Sequence, residues 1–252
     1  MSPSDPLVPP QLFSIDPVTR AAAARITRRA HCDCLAARTK SGRPSVPTLH
    51  CEAQDHSVSA WKRVVELVNE CERAQSTVFE PSAHMSWDDW LEVTTLPASL
   101  GRLAAVKQVR LYGSPLRRLP PEIGRMAALE ELDIYTSYAF HWLPYEITRC
   151  ANLRQSRMST RALYGNIKTG LPFPRLAGPI ETVLPLTCSV CDTPFNGARP
   201  QLFWITLRVG TDVVPLLVHS CSKDCTLSLP KPPPCYHPRP HRGGGGVGMP
   251  KT

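Results

Sequence analysis

Leu119-Pro120-Pro121-Glu122-Ile123-Gly124-Arg125-Met126, followed by Leu129, Leu132, Ile134 and Phe140, is a phrase that the chain repeats. The copy before it reads Leu96-Pro97-Ala98-Ser99-Leu100-Gly101-Arg102-Leu103, then Val106, Val109, Leu111 and Leu116. The copy after it reads Leu143-Pro144-Tyr145-Glu146-Ile147-Thr148-Arg149-Cys150, then Leu153, Ser156, Met158 and Leu163. Successive copies begin 23 and 24 positions apart. Alternate side chains of a strand point to opposite faces, so the L-x-x-L-x-L spacing at Leu129, Leu132 and Ile134 sends apolar groups inward from a short strand. The L-P-x-E-I-G segment then returns along the other side. No single copy can bury its apolar face, so neighbouring copies must stack.

A period of this length with an L-x-x-L-x-L core resembles the leucine-rich repeat of the L-P-x-x-I-G-x-L type. The resemblance covers residues 96–164. It implies an α/β fold, a short solenoid of about three repeats with parallel strands, and a protein-binding role with no chemistry of its own. It names no partner. Two departures stand out. Ser114, Ser137 and Arg161 replace the usual Asn at the corner after the strand, and Ser156 occupies a slot that the pattern reserves for an aliphatic residue. The third repeat is therefore expected to be distorted or terminal.

On the outward side of the strands the spacing places Gln108, Arg110 and Tyr112, then Glu131, Asp133 and Tyr135, then Gln155, Arg157 and Ser159. Neighbouring strands lie ~4.8 Å apart, so Arg110, Asp133 and Arg157 form a plus–minus–plus row with Tyr112 beside Tyr135. Such a row can simply satisfy itself. Tyrosine and arginine also dominate binding hot spots, which makes Arg110, Tyr112, Asp133, Tyr135 and Arg157 the candidate partner-binding face. The aromatic cluster of Tyr138, Phe140, His141, Trp142 and Tyr145 reads first as core and edge packing and second as a contact site.

A second module follows a Gly- and Pro-rich stretch at 167–187, read as a linker without regular structure. Cys188-Ser189-Val190-Cys191 is a C-x-x-C knuckle, and Cys221-Ser222-Lys223-Asp224-Cys225 is a C-x-x-x-C pair. Between them, Gln201–Val209 and Asp212–His219 read as two β-strands joined at Gly210-Thr211. A hairpin that brings two short-spaced cysteine pairs together supplies four thiolates for a tetrahedral zinc. The H-S-C-S-K-D-C ending resembles treble-clef zinc fingers, whose last pair starts a short helix. Four cysteines make a closed, structural site, because a catalytic zinc keeps one position for water. The other reading is a set of reduced thiols or a redox pair at Cys188 and Cys191, but no βαβ context surrounds that pair. His219 is read as a neighbour of the site rather than a ligand.

Residues 1–15 are Pro-rich and expected to lack fixed structure. A helical cap is expected over 16–91, with helices near 16–30 and 57–75, and with Trp87 and Trp90 sealing the end of the repeats behind an N-cap at Ser86. In the second helix Trp61, Val64, Val65, Leu67, Val68 and Cys71 form the apolar stripe. Repeats fill 92–166, the cysteine module 188–229, and a Pro- and Gly-rich tail without fixed structure 230–252. His31, Cys32, Cys34 and Cys51 read first as buried or loop thiols and their neighbour, and only second as a further metal-ligand set, since C-x-C is tighter than the usual zinc spacing.

The 252 residues carry 27 prolines, 10 cysteines and a net charge of +8. That charge is uneven, running +4, −6, +6 and +4 over 1–50, 51–100, 101–170 and 171–252. No apolar run reaches the ~18 residues of a membrane span, and no apolar signal segment opens the chain. Cysteines without an export signal point to a reducing, cytoplasmic setting. The rival function is nucleic-acid binding through the zinc module and the basic N-terminal helix, although only Arg199, Arg208 and Lys223 lie on the finger. No phosphate loop, nucleophile elbow or H-E-x-x-H motif argues for an enzyme.

Overall fold

The repeated phrase lays down the same two pieces of backbone each time. In the computed structural model, which describes residues 46–177 and 184–247, each L-P step enters a five-residue 3-10 helix, at Ala98–Arg102, Pro121–Arg125 and Tyr145–Arg149. Proline fixes φ near −65°, and Pro97, Pro120 and Pro144 combine it with the extended ψ of a helix-entry residue. Besides two further 3-10 helices at Pro81–His84 and Thr160–Ala162, the elements in chain order are α1 (Ser59–Arg73), β1 (Val78–Phe79), α2 (Trp87–Trp90), β2 (Gln108–Arg110), β3 (Glu131–Ile134), β4 (Leu143–Pro144) and β5 (Gln155–Met158). The hairpin strands β6 (Gln201–Val209) and β7 (Asp212–Ser220) follow, and then α3 (Lys223–Leu227). The result is a mixed α/β structure with a four-stranded parallel sheet, β1-β2-β3-β5, and a three-stranded sheet, β4-β7-β6.

Register in the parallel sheet follows the sequence period. Gln108 pairs with Glu131, 23 positions on, and Glu131 with Gln155, 24 positions on. The sheet gains one strand that the repeat pattern does not mark, because Val78 and Phe79 pair with Gln108 and Val109. On the opposite side the three 3-10 helices stack closely. A Cβ at Gly101 would lie 2.7 Å from the Glu122 carbonyl oxygen, and one at Gly124 would collide with the Glu146 carbonyl oxygen. The equivalent third position is Thr148, which is exposed. Glycine therefore stands where the next copy presses on the backbone.

Serines tie the corners after the strands to one another. The Ser137 hydroxyl accepts the Ser114 amide at 3.0 Å, lies 2.9 Å from the Ser114 hydroxyl and donates to the Leu111 carbonyl at 3.1 Å. The Thr136 amide donates to Ser159 at 2.9 Å. Both Ser114 and Ser137 are fully buried, so each bond replaces one that water would otherwise make.

Ser156, the polar residue in a core slot, is the docking point of the hairpin. Its hydroxyl meets the Val209 carbonyl at 2.8 Å and the Asp212 carboxylate at 2.9 Å, and the Thr211 hydroxyl donates to the Ser156 carbonyl at 2.7 Å. Gly210 turns with φ +57 and approaches the Ser156 backbone so closely that a Cβ would sit 2.9 Å from its nitrogen. The third repeat is thus an interface where an aliphatic side chain would block the turn.

The hairpin is buried on both faces, and this overturns the expectation that the tail lacks fixed structure. Ile205, Leu207, Val209, Val214, Leu216 and Val218 join one core with Leu132, Ile134, Leu163 and the buried stripe of α1. Leu202, Trp204 and Leu217 form a second core with Trp142, Tyr164, Leu171, Phe173 and Leu176. Residues 167–177 have the irregular backbone expected of them and also supply three of those core side chains. The tail, expected to lack fixed structure, is laid against the hairpin: the His241 amide and carbonyl both pair with Trp204, and the Arg242 carbonyl accepts the Leu176 amide at 2.8 Å. Burying Trp204 needs a cover, and the tail provides it. The boundary drawn between repeats and cysteine module is bridged as well, since β4 lies parallel to β7.

At the other end α1 occupies most of the expected span and buries Ala60, Val64, Leu67, Val68 and Cys71. Trp61 lies off that stripe, stacked on His56 at 4.6 Å. Ser86 caps α2 by accepting the Asp89 amide, and Trp90 is fully buried while Trp87 packs against the core edge. The expected helix near 16–30 and the segment 1–15 lie outside the described residues. Among the described residues no helix is long and apolar enough to cross a membrane.

Two outcomes are expected. Ser156→Leu, which restores the repeat pattern, lowers stability by ~2 kcal/mol or more because it displaces the hairpin turn, whereas Ser156→Ala costs ~1–3 kcal/mol in lost hydrogen bonds. Denaturant unfolding distinguishes this from simple repeat behaviour, in which Ser156→Leu would stabilise. The second concerns His141, whose Nδ1 lies 2.6 Å from the Ala162 carbonyl and whose burial pushes its pKa down to about 4. The folded pKa is below the unfolded one, so this contribution is complete above pH ~6.5 and is lost as pH falls toward 4, by about 3 kcal/mol at most. Unfolding free energies from pH 7 to 4 should show a slope that His141→Gln reduces.

Candidate metal centre and the exposed strand face

Local geometry brings the two cysteine pairs together before any metal is considered. The first pair lies in a tight turn clamped by a Thr187–Pro194 bridge, with the Cys188 amide donating to the Thr193 carbonyl at 2.9 Å and the Asp192 amide to the Cys188 carbonyl at 3.1 Å. Asp192 takes the left-handed conformation, φ 61, that closes this turn. The second pair begins where β7 ends. Cys221 follows the strand directly, and Cys225 sits in α3, whose first turn is capped by the Ser222 hydroxyl accepting the Cys225 amide at 3.2 Å. The antiparallel pairing of β6 and β7 returns the chain to the first pair, and the Ser189 amide donates to the His219 carbonyl at 2.8 Å.

The sulfur atoms of Cys188, Cys191, Cys221 and Cys225 all lie within 4.8 Å of one another. Cys191 and Cys221 are 3.5 Å apart, and Cys221 and Cys225 are 3.6 Å apart. Four sulfurs around one ion at ~2.3 Å in a tetrahedron are separated by ~3.8 Å, so this group fits a single tetrahedral metal ion. Backbone amides of Val190 and Cys221 each donate to the Cys188 sulfur at 3.4 Å, an arrangement that orients it. Without an ion, such close thiols divide their charge. The Thr193 hydroxyl beside Cys191 draws its pKa down to about 6, while the hydrogen bond to Cys191 pushes Cys221 up to about 12. A cation removes that conflict by taking all four as thiolates.

Position also matters. Cys188 is buried, Cys225 half-buried, and Cys191 and Cys221 are exposed, so the ion would sit at the surface with its inner side against the protein. Arg149 ties the knuckle to the 3-10 helix Tyr145–Arg149. It donates to the Ser189 carbonyl at 2.8 Å and pairs with Asp192 at 2.8 Å. That residue carried no mark in the sequence, because it is one more arginine on a 3-10 helix until the knuckle is placed beside it. The ring of His219 takes no part in the cluster. His50 contacts Glu52 and stacks on His141, and Cys51 is exposed, while His31, Cys32 and Cys34 lie outside the described residues.

The strand-face residues are brought into line by the parallel register. Arg110 lies opposite Asp133, and Asp133 opposite Arg157. Their ion pairs are less symmetric than the row. Arg157 reaches Asp133 at 3.4 Å and also covers the Tyr135 ring at 5.4 Å, but Arg110 turns to Glu80 at 3.4 Å. Glu80 follows β1, the strand the repeat pattern did not reveal. Tyr112 and Tyr135 stand with ring centroids 6.2 Å apart, each 44% exposed.

A scan of the chain against protein-family models finds no match, and a search of the curated proteins finds none either.

The metal centre makes a direct prediction. Purified protein should carry about one metal ion per chain, lost in the Cys188→Ser/Cys221→Ser variant, by elemental analysis. Because thiolates bind the ion and protons compete for them, release should set in as pH falls below ~6. Chelation should lower the melting temperature by ~10 °C. A metal-free chain of unchanged stability would exclude the centre.

Proposed function

We propose that the chain is a non-catalytic leucine-rich-repeat protein that binds a protein partner through its strand face, with a structural zinc holding the cysteine pairs. The exposed tyrosine pair carries this reading. Tyr112 and Tyr135 are large, half-exposed side chains held on a rigid parallel sheet, with Arg157 against one of them. Rigid aromatic groups lose little entropy on contact, and tyrosine with arginine is the composition of binding hot spots. The ion pairs around them are exposed, so they contribute little to stability and can be exchanged for contacts with a partner. The repeat period, the parallel pairing at that period, and the close stacking at Gly101 and Gly124 support the repeat reading.

For the metal, an all-sulfur tetrahedral set favours zinc and leaves no coordination position for a substrate water, which supports a structural ion. Among the described residues Cys71, Cys150, Cys188, Cys191, Cys221, Cys225 and Cys235 are free thiols, in keeping with a reducing, cytoplasmic compartment.

The test is partner capture with wild type and with Tyr112→Ala/Tyr135→Ala, followed by reconstitution of the captured complex. Loss of both tyrosines should weaken binding ~10-fold or more while leaving the melting temperature within a few degrees. The same partners at the same affinity would move the binding surface off the strands.

A further inference from the structure

The cations of this chain fall into two groups. In the repeats and the helical cap most of them meet an acid or a carbonyl. Lys107 and Arg154 flank Glu130 at 3.2 and 3.1 Å, Arg117 pairs with Glu52, and Arg118 donates to the Glu52 backbone carbonyl at 2.6 Å. Beyond residue 160 none of the described lysines and arginines forms an ion pair with a described residue. The described acids there are Asp192, which Arg149 holds, Asp212, which Ser156 meets, and Asp224 in α3. The segments 167–177, 199–209 and 229–247 contain no acidic residue, and their Arg175, Arg208, Lys231, Arg239 and Arg242 are all exposed.

The fold gathers four of these arginines into one layer. The tail pairs with the outer edge of β6, where His241 and Trp204 exchange amide and carbonyl. The next residue, Arg242, lays its guanidinium 5.7 Å from the Phe203 ring centre, and its carbonyl takes the Leu176 amide. That contact sets Arg175 beside the tail, its Nε 3.2 Å from where a Cβ of Gly244 would stand. Arg239 precedes His241 by two residues. Arg208 lies four residues along β6 from Trp204, so on the same face and ~13 Å away. It gives one donor to the Thr211 carbonyl at 3.2 Å, and its charge acts on Tyr236. The rings of Phe203 and Tyr236 are half-buried among these cations. A layer of one sign raises the local concentration of polyanions, and the guanidinium fork fits phosphate oxygens. We propose that this layer binds a single-stranded nucleic acid, Arg175, Arg208, Arg239 and Arg242 meeting its phosphates and Phe203 and Tyr236 offering ring surface to its bases. Reading a duplex takes a helix or ribbon in the major groove, whereas rings beside a basic track suit unpaired bases.

The proposal stands apart from the strand-face reading, so Tyr112→Ala/Tyr135→Ala should leave this binding unchanged. Its test uses the full chain and a fluorescein-labelled oligothymidylate of about 20 nucleotides, followed by anisotropy between about 50 and 200 mM KCl. Four phosphate contacts on a single strand give a slope of log K against log salt near about −3, a ~50-fold weakening over that range. Arg208→Gln and Arg239→Gln should each weaken binding and reduce the slope by ~0.7. Changing all four arginines to Gln should abolish binding, while Lys62→Gln/Arg73→Gln on α1 leaves it as in wild type. If the fourfold variant does not fold, the two single variants decide. No binding at about 100 μM protein in low salt, or a slope that Arg208→Gln and Arg239→Gln leave intact, overturns the proposal. Loss of binding in Arg199→Gln/Lys223→Gln places the contact on the cysteine module and overturns it too. Tighter binding to phosphatidylcholine vesicles carrying about 30% phosphatidylserine than to the oligonucleotide overturns the nucleic-acid assignment in favour of an anionic membrane surface.

Discussion

A hairpin that is apolar on both faces cannot meet water on either, and the rest of this structure is arranged to cover it. From Val214 to Ser220 every residue of β7 is buried, and β6 exposes only its first residue and Arg208. One face is met by the parallel sheet and the helical layer behind it. The other is met by an irregular segment and the tail, whose fit rests on ring contacts. Trp204 packs edge-on to Trp142 and Tyr164, donates its indole N–H to the Pro174 carbonyl at 3.0 Å, and is backed by Phe173. At ~25 cal/mol per Å², aromatic side chains of this size are the main hydrophobic contributors available to a segment with no ladder of its own.

The same arrangement ties the cysteine cluster to the repeats. Ser156 holds the hairpin at its turn, Arg149 holds the knuckle at the other end, and β4 pairs with β7 between them. Both cysteine pairs are therefore positioned by contacts spread along the whole hairpin. An ion there would lock a structure that is already anchored, rather than hold together an isolated finger, and its free energy of binding would be shared with the core.

Much of this was legible in the residues. The repeat spacing gave the positions of β2, β3 and β5, the cysteine spacing gave the four sulfurs, and two apolar runs around Gly210-Thr211 gave the hairpin to the residue at its turn. The signal that was passed over is also local: QLFWITLRV and DVVPLLVH are nearly continuous in apolar residues, which is the pattern of strands covered on both faces. Read that way, they call for more cover than the repeats alone provide, and the aromatic and leucine residues at 171–176 become candidates for it. The short β1 strand could not be found by period, because its 30-residue offset from β2 breaks the repeat.

The sequence by itself determined what is periodic or closely spaced: the strands of the repeats, the glycines between copies, and the pairing of cysteines three and four residues apart. These depend on backbone geometry and on neighbours within a few positions. Only the tertiary structure decided what Ser156, Arg149, Arg118 and Glu80 do, since each acts on a group between about 30 and 65 residues away in the chain. A serine in a core slot reads as a defect until the turn that bonds to it is in place. Hydrogen bonds and ion pairs depend on separation in space, which the hairpin sets for Ser156 and Arg149 and the parallel sheet sets for Glu80.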